Sequence, residues 1–412
     1  MASARGAFAR LTRAHRACLA FRVSARARSS RATDYEDCLR LAGATAPTHL
    51  RELIDVLRAQ GGVPIDPRDR DGVHPLVLPL ARFQEDETST SSSGSLPTSR
   101  NSTVGLLLLP TNIRNGTDLV VVRFGPGGVR FLAPSASLHV HAALVEEEHS
   151  FYLNSLKHGK DPARGGDTYR PVMHAAGVLG LPNNSKCPPG TFARMPKESP
   201  KKRKEVFTQS AFGCVFPHAV DLLIQHHEVL KKDHLSALVT SEWYTRQRAF
   251  AGWGMPHLVN AKLLKKHGRG GEARDAARVA LASAPWWTLG AESGLPMALA
   301  AMAGLRDTLL RDEWGAVQFR DLLDTGGEAH RAAAAAMGVG DDEGEKAGDK
   351  NQFWTNAFEK AATARMDVVS LQAPSDLAKG GGEHTWDSVR HEVSALYEEG
   401  GLPGYAEFVS GK

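Results

Sequence analysis

The chain has 412 residues, a formal net charge of +4 and four cysteines. This length accommodates two or more domains of ordinary size. It contains no apolar run of about 18 residues, so no transmembrane helix is predicted. The cysteines are scattered and form no CxxC pair, which argues against a disulfide framework or a structural zinc site.

The N-terminal segment, residues 1–33, has the composition of an organelle transit peptide. It contains eight arginines and no acidic residue, and serine and alanine make up most of the remainder. The tripeptide Val23-Ser24-Ala25 resembles the processing-site pattern of green-algal plastid transit peptides. We therefore expect a location in the chloroplast stroma, with the mitochondrion as the alternative.

The basic character of the whole chain belongs to this segment. Without its eight arginines, 42 Lys and Arg residues stand against 46 Asp and Glu residues, which leaves a net charge of −4. A mildly acidic body lacks the broad positive field that nucleic-acid binding usually requires. Nucleic acid is therefore not the expected partner.

Residues 34–150 combine helical and strand patterns. Leu50–Gln60 carries apolar residues at helical spacing. Apolar runs typical of strands follow at Leu76–Leu80, Val104–Leu109, Leu119–Phe124 and Val129–Leu132. The glycine-rich segment Gly125–Gly128 predicts a hairpin turn, whereas Pro79 limits the first run to an edge strand at most. We expect an α+β domain with a small antiparallel sheet.

Polar segments divide the chain further. We expect serine-rich residues 88–103 to be a disordered insertion in the first domain, and acidic residues 341–351 to be a second one nearer the C-terminus. Residues 151–204 are rich in Pro, Gly, Asn and Lys without periodicity, which is typical of a linker. Lys201–Lys204 within this linker resembles a nucleic-acid or nuclear-import patch, although a solvated charged loop is the favoured interpretation.

Residues 205–412 follow helical patterns. Ala219–Lys231 and Leu235–Phe250 form a predicted pair, and alanine-rich helices follow a central hairpin at Trp253–Gly290. Near the end, one predicted helix has an apolar face made of Trp386, Val389, Val393 and Leu396. A succession of paired helices with short turns is what an α-solenoid requires.

The central hairpin has clear boundaries. Pro256 suits the first turn of its first helix, and Pro285 ends its second helix, which starts at about Glu272. The glycines expected to supply the turn are Gly268, Gly270 and Gly271. One face of the second helix is mostly alanine and comprises Ala273, Ala277, Ala280, Leu281 and Ala284. Arg274 and Arg278 point away from that face, which is expected to pack closely against a neighbouring helix.

This hairpin resembles a tetratricopeptide repeat. The matching positions are the turn glycine, two small residues of the second helix and the terminal proline, which here are Gly268, Ala273, Ala280 and Pro285. Trp253 and Trp287 are 34 residues apart, the period of that repeat. His257 and Ala277 depart from the pattern, and the match covers one repeat well. The resemblance implies an all-α, tetratricopeptide-like helical-repeat domain that presents a groove to a protein partner.

Motifs for catalysis are few. GxSxG, P-loop and GxGxxG patterns are missing from the sequence. His227 and Glu228 resemble a zinc-protease helix, but Lys231 stands where a second histidine is needed. His139 and His141 could ligate a metal, although polar surface residues are the favoured interpretation. No catalytic, cofactor or metal residue is therefore assigned, and no cofactor is expected.

We expect an organellar scaffold or assembly factor that works through protein–protein interaction. The residues assigned to partner binding are Arg274, Arg278, Trp253 and Trp287. Two alternatives remain open. One is an enzyme with a site at the domain interface, whose dispersed residues would escape a motif search. The other is an organellar RNA-binding factor that uses Lys201–Lys204.

Overall fold

A computed structural model describes residues 34–84, 101–116, 118–143, 217–225, 227–228, 232–247, 250, 252–305, 357–371 and 385–411. The first part of the chain forms a five-stranded antiparallel sheet with helices, and the later part is helical. The predicted fold class is confirmed. The expected transit peptide, the linker and the acidic insertion lie outside the described residues. Within them, no helix combines the length and apolar character needed to cross a membrane.

The sheet is a meander in which each strand pairs with the next. Its strands are β1 (Val63–Pro64), β2 (Val77–Gln84), β3 (Asn101–Leu107), β4 (Val120–Gly125) and β5 (Gly128–Ala133). Every pairing is antiparallel, and Gly125 opposes Gly128 across the predicted hairpin turn. β3 begins at Asn101, so the last residues of the expected serine-rich insertion belong to a strand instead.

β2 is an inner strand, so the expectation of an edge strand is wrong. It lies between β1 and β3, although β1 pairs only with Ala81 and Arg82. The register against β3 shifts between Pro79 and Ala81. Because proline has no N–H to donate, this irregularity is where it can be accommodated in a sheet.

Four helical segments accompany the sheet. They are α1 (34–41), α2 (Leu50–Ala59), α3 (Pro110–Asn115) and α4 (136–143). The residues of α2 at helical spacing, including Leu53 and Leu57, are buried as predicted. The hydroxyl of Tyr35 on α1 donates a hydrogen bond to the carbonyl oxygen of Ile65. This bond and the buried face of α2 attach both helices to the sheet at its β1 side.

The later helices begin with a stack that follows chain order. They are α5 (Pro217–Gln225), α6 (His234–Thr245), α7 (Met255–Lys266), α8 (Gly270–Ser283) and α9 (Leu295–Ala303). Gly268 turns the chain between α7 and α8 with a φ of +76°. Gly270 and Gly271 lie inside the first turn of α8, which therefore starts two residues earlier than predicted.

The alanine face of α8 is buried as predicted. Ala277 and Ala280 have no exposed surface, and Ala273 has almost none. Ala277 and Ala280 pack in a cluster with residues of α7 and α9, among them Leu258 and Leu299. Small side chains let these helices approach closely, which is why the stack forms here.

Of the last three described helices, the first packs against α9, and the other two return to the sheet. They are α10 (Ala357–Leu371), α11 (Trp386–Glu399) and α12 (Pro403–Ser410). The hydroxyl of Tyr405 on α12 donates to the carbonyl oxygen of Leu108 over 2.6 Å. One continuous core includes both Tyr35 and Val409. In a solenoid each repeat contacts only its neighbours, so the C-terminal end of this chain departs from that arrangement.

Candidate interaction surface

The face of α8 opposite the alanines carries the two arginines that the sequence assigns to partner binding. Arg274 and Arg278 are both exposed and lie one helical turn apart. Their neighbours Arg269 and Glu272 pair with each other. Within the described residues neither Arg274 nor Arg278 forms an ion pair, although Asp275 lies beside them. Two like charges at i,i+4 repel slightly in an isolated helix, and a carboxylate from another molecule would relieve that repulsion.

Trp253 and Trp287 occupy the core instead of the surface. Trp253 is 4% exposed and meets Phe131 of β5 edge to face, with ring centroids 5.0 Å apart. Trp287 is fully buried and packs against His74 at 4.8 Å. Both indoles therefore fasten the helical stack to the sheet. Of the four residues assigned to partner binding, Arg274 and Arg278 are the two that face solvent.

At the β4–β5 turn the backbones of the sheet and the helical stack lie in close contact. The amide of Gly127 donates to the carbonyl oxygen of Ala291 over 3.1 Å. A Cβ on Gly127 would lie 1.9 Å from the carbonyl oxygen of Glu292, and one on Gly128 would lie 2.2 Å from that of Trp287. Glycine is needed here because another backbone fills the space that a side chain would occupy.

His74 lies at the centre of this junction. Its ring is fully buried between the indoles of Trp287 and Trp386, whose centroids lie at 4.8 and 4.6 Å. Burial lowers the pKa of His74 well below its ordinary 6.5, and the nearby charges of Arg390 and Arg70 lower it further. His74 is therefore a neutral ring that packs between the sheet and the last helices.

Two buried arginines tie α11 and α12 to the loop before β2. Arg390 donates to the carbonyl oxygens of Arg70 and Val73 over 2.6 and 2.7 Å. Arg70 donates to the carbonyl oxygen of Pro75 over 2.8 Å, and its guanidinium lies 4.3 Å from the ring centroid of Phe408. Burial lowers the pKa of Arg70 to about 9, with a further contribution from Arg390. Both guanidinium groups are therefore engaged in structural contacts. They lie between the first part of the chain and its last helices, at a domain interface of the kind where the enzyme alternative places its site.

Helix α6 exposes two apolar side chains that the sequence interpretation missed. Leu235 and Val239 are 71% and 57% exposed, whereas Thr240 and Ser241 are buried. The hydroxyl of Ser241 donates to the side-chain oxygen of Asn260 on α7 over 2.9 Å. Apolar residues at i,i+4 on the outer face, with hydroxyls inside, are the pattern that could have indicated an interaction surface.

The remaining candidates from the sequence do not meet at one site. His139 is partly buried and His141 fully so, and burial lowers the pKa of each to about 4. In His139 the charge of Arg123 adds to this effect. The polar-surface interpretation of these two histidines is therefore wrong. Lys201–Lys204, on which the RNA alternative depends, lies outside the described residues.

The two structural parts correspond to two domain families. Residues 38–164 match the family described as PAB N-terminal, and residues 217–306 match the PAB middle domain. The first range contains the whole sheet, and the second contains α5 to α9. The chain thus contains regions similar to the PAB N-terminal and middle domains, in that order.

A particular relative is the Arabidopsis thaliana protein named Protein IN CHLOROPLAST ATPASE BIOGENESIS, chloroplastic. The two sequences are 35% identical over 250 residues, which is 61% of this chain and 63% of the relative. The chain is a distant homologue of that protein, and the match spans less than two thirds of the relative's length. No solved structure matches this chain. The matches are to PAB domains, and the tetratricopeptide-like interpretation of α7 and α8 stays a proposal.

Proposed function

We propose that this protein is an assembly factor in the biogenesis of a chloroplast ATPase. The observation that carries the proposal is its 35% identity over 250 residues to an Arabidopsis protein named for that process. Matches to both PAB domain families support the same conclusion. An assembly factor acts through protein contacts, and the helical stack offers exposed surfaces suited to such contacts.

Two features of the stack would contact the partner, an ATPase subunit or assembly intermediate. Arg274 and Arg278 offer two unpaired positive charges on α8, which would attract a carboxylate-bearing surface. Leu235 and Val239 on α6 offer apolar surface that would be buried on binding. If α7 and α8 act as a tetratricopeptide-like unit, the stack would hold the partner in its groove.

The proposed location is the chloroplast stroma, as expected from the arginine-rich residues 1–33 and as the name of the relative supports. Fusion of this segment to a fluorescent reporter tests the targeting. The reporter is expected in the chloroplast, and a cytosolic or mitochondrial reporter would contradict the proposal.

Complementation tests the function itself. Arabidopsis plants that lack the relative would express this full chain, and the amount of assembled chloroplast ATPase would be measured on native gels. The chain is expected to restore the complex, and a well-expressed chain that restores none would refute the proposal.

A pair of variants tests the surface. Arg274→Ala with Arg278→Ala should keep the melting temperature, because exposed substitutions usually change stability by less than about 0.5 kcal/mol. The same variant should restore less ATPase than the wild-type chain does. Lys262→Ala with Lys265→Ala removes two charges that are also exposed, here from α7, and is the matched control. If both variants restored the same amount of ATPase, Arg274 and Arg278 would not belong to the partner-binding surface.

A further inference from the structure

Three side chains with metal-binding atoms converge where α5, α6 and α7 meet. Glu228 follows α5, His234 is the first residue of α6, and His267 follows the last residue of α7. One potential ligand atom from each residue lies within 4.8 Å of those from the other two. Three separate parts of the chain are therefore needed to build the cluster.

The contacts within the cluster are specific. His267 Nε2 lies 2.6 Å from Glu228 Oε1, and the ring centroids of His234 and His267 are 4.4 Å apart. The side chains of Glu228 and His267 are only 10% and 14% exposed. His234 is exposed, so it can move while the other two are held by the fold.

Hydrogen bonds hold the Glu228 carboxylate in a fixed orientation. Lys266 donates to Oε2 over 2.6 Å, whereas His267 contacts Oε1. Lys266 thus orients the carboxylate through Oε2, in the way that an outer-shell partner orients a metal ligand. Oε1 is the oxygen on the side of the imidazoles.

An ion-pair network alone accounts for part of this arrangement. Such a network explains why the carboxylate of Glu228 lies next to Lys266 and His267, which contact its two oxygens. It leaves His234 unexplained, because within the described residues the side chain of His234 makes neither a hydrogen bond nor an ion pair. Its ring nevertheless lies against that of His267, where its nitrogen can approach the same carboxylate.

We propose that Glu228, His234 and His267 bind a divalent transition-metal ion, with Zn²⁺ as the best fit. Two imidazoles and one carboxylate form a common three-residue zinc set, and water takes the fourth tetrahedral position. With metal–ligand bonds of about 2.0–2.2 Å, ligand atoms in a tetrahedral site lie about 3.3–3.5 Å apart. The 2.6 Å contact between His267 Nε2 and Glu228 Oε1 would open by about 0.7 Å as the ion replaces this hydrogen bond. The widest separation exceeds the tetrahedral distance by roughly 1.5 Å or less, which a rotation of the exposed His234 side chain can close.

The ion would fasten the end of α5 to the α6–α7 pair. Because it would bind the folded chain and not the unfolded one, it would raise the melting temperature.

Titration calorimetry with Zn²⁺ alone tests the proposal on untagged, chelator-treated full chain, because a polyhistidine tag would itself bind zinc. One ion is expected to bind per chain at this site, and Mg²⁺, which prefers oxygen ligands, is expected to produce no heat there. His234→Ala should weaken the Zn²⁺ affinity by about tenfold or more while the melting temperature of the metal-free protein stays the same, since this side chain is exposed. Co²⁺ in place of Zn²⁺ should give the intense visible absorption of a tetrahedral site.

His391→Ala is the matched control, because His391 is exposed on α11 and outside the cluster. This control should bind Zn²⁺ as the wild-type chain does. A wild-type chain without one-to-one binding, or a His234→Ala variant with wild-type affinity, would overturn the proposal. Glu228→Gln provides a second variant that keeps the size of the side chain and should weaken binding as well. These outcomes concern the ion alone and leave the proposed role in ATPase assembly to be judged by complementation.

Discussion

The indole nitrogen of Trp386 donates a hydrogen bond to the carbonyl oxygen of Gly125 over 3.1 Å, although 261 residues separate the two. The bond joins the first residue of α11 to the last residue of β4. In the same hairpin turn, the amide of Gly127 donates to the carbonyl oxygen of Ala291, between α8 and α9. The turn is thus held between the helical stack and the C-terminal helices.

Replacement of Trp386 by Phe should lower the free energy of unfolding by about 1–3 kcal/mol. The change removes the donor to a buried carbonyl oxygen and part of a buried ring. Urea unfolding followed by circular dichroism measures it. Trp243→Phe is the matched control, since Trp243 is half-buried and its indole makes no hydrogen bond to described residues. Equal losses in the two variants would show that the bond to Gly125 contributes nothing.

The junction should be sensitive to the addition of one methyl group at its turn. Gly127→Ala places a Cβ within 1.9 Å of the carbonyl oxygen of Glu292, so one of the two backbones must move. We expect a loss of at least about 2 kcal/mol, measured as a fall in melting temperature. Gly271→Ala, which meets nothing within 4 Å, is the control and should be neutral or slightly stabilising. A Gly127→Ala variant as stable as the control would contradict the close approach.

The stack should be equally sensitive to volume at the alanine face. Ala277→Leu inserts three carbons into a contact without exposed surface, and overpacking of this kind costs about 1–3 kcal/mol. Ala282→Leu makes the same change on the exposed side of the same helix and should cost much less. Thermal unfolding of both variants distinguishes packing from helix propensity. If both substitutions were harmless, close helix packing at Ala277 would be disproved.

Stability should fall in acid below pH 6.5 because of buried histidines. The unfolded chain binds a proton at His74 near its ordinary pKa of 6.5, whereas the folded chain, with its pKa held well below that value, does not. The free energy of unfolding is therefore not reduced by His74 above pH 6.5, and it falls as the pH drops below that value. His139, with a pKa of about 4, acts in the same direction. Each group contributes at most about 1.4 kcal/mol per pH unit.

His74→Phe tests this dependence, because it keeps an aromatic ring between the two indoles and removes the titrating group. Unfolding free energies at about pH 7.5 and about pH 5 should differ less in the variant than in the wild-type chain. The quantity compared is the change in unfolding free energy between the two pH values. A loss of stability that is the same at both pH values therefore does not affect the result. Identical slopes would exclude His74 as a source of acid sensitivity.

Local patterns in the sequence predict much of this fold because they report on short-range packing. Apolar runs and the glycine-rich turn locate β4 and β5, and the alanine spacing on α8 identifies its buried face. The same spacing correctly directs Arg274 and Arg278 toward solvent. Each of these predictions depends on residues within one or two turns of a helix or one hairpin.

Contacts between distant parts of the chain explain what could not be predicted. Pro79 alone predicts an edge strand. The register shift that accommodates it inside the sheet depends on pairing with β3, which the local sequence does not show. Trp253 and Trp287 are buried by distant neighbours, Phe131 of β5 and His74 of the loop before β2, which the local sequence does not reveal. The cluster of Glu228, His234 and His267 combines three elements, so no spacing along the sequence reveals it.

A core that includes both Tyr35 and Val409 has a consequence for when the protein can fold. During synthesis, the early strands are available long before the last helices that cover them. Leu108 meets Tyr405 only after 297 further residues, and contacts of such separation form slowly. The helical stack can cover one part of the β4–β5 turn earlier, but the surface that Trp386 and Tyr405 cover stays exposed until residues 385–411 arrive. Arrival of this segment is therefore the step that completes the core.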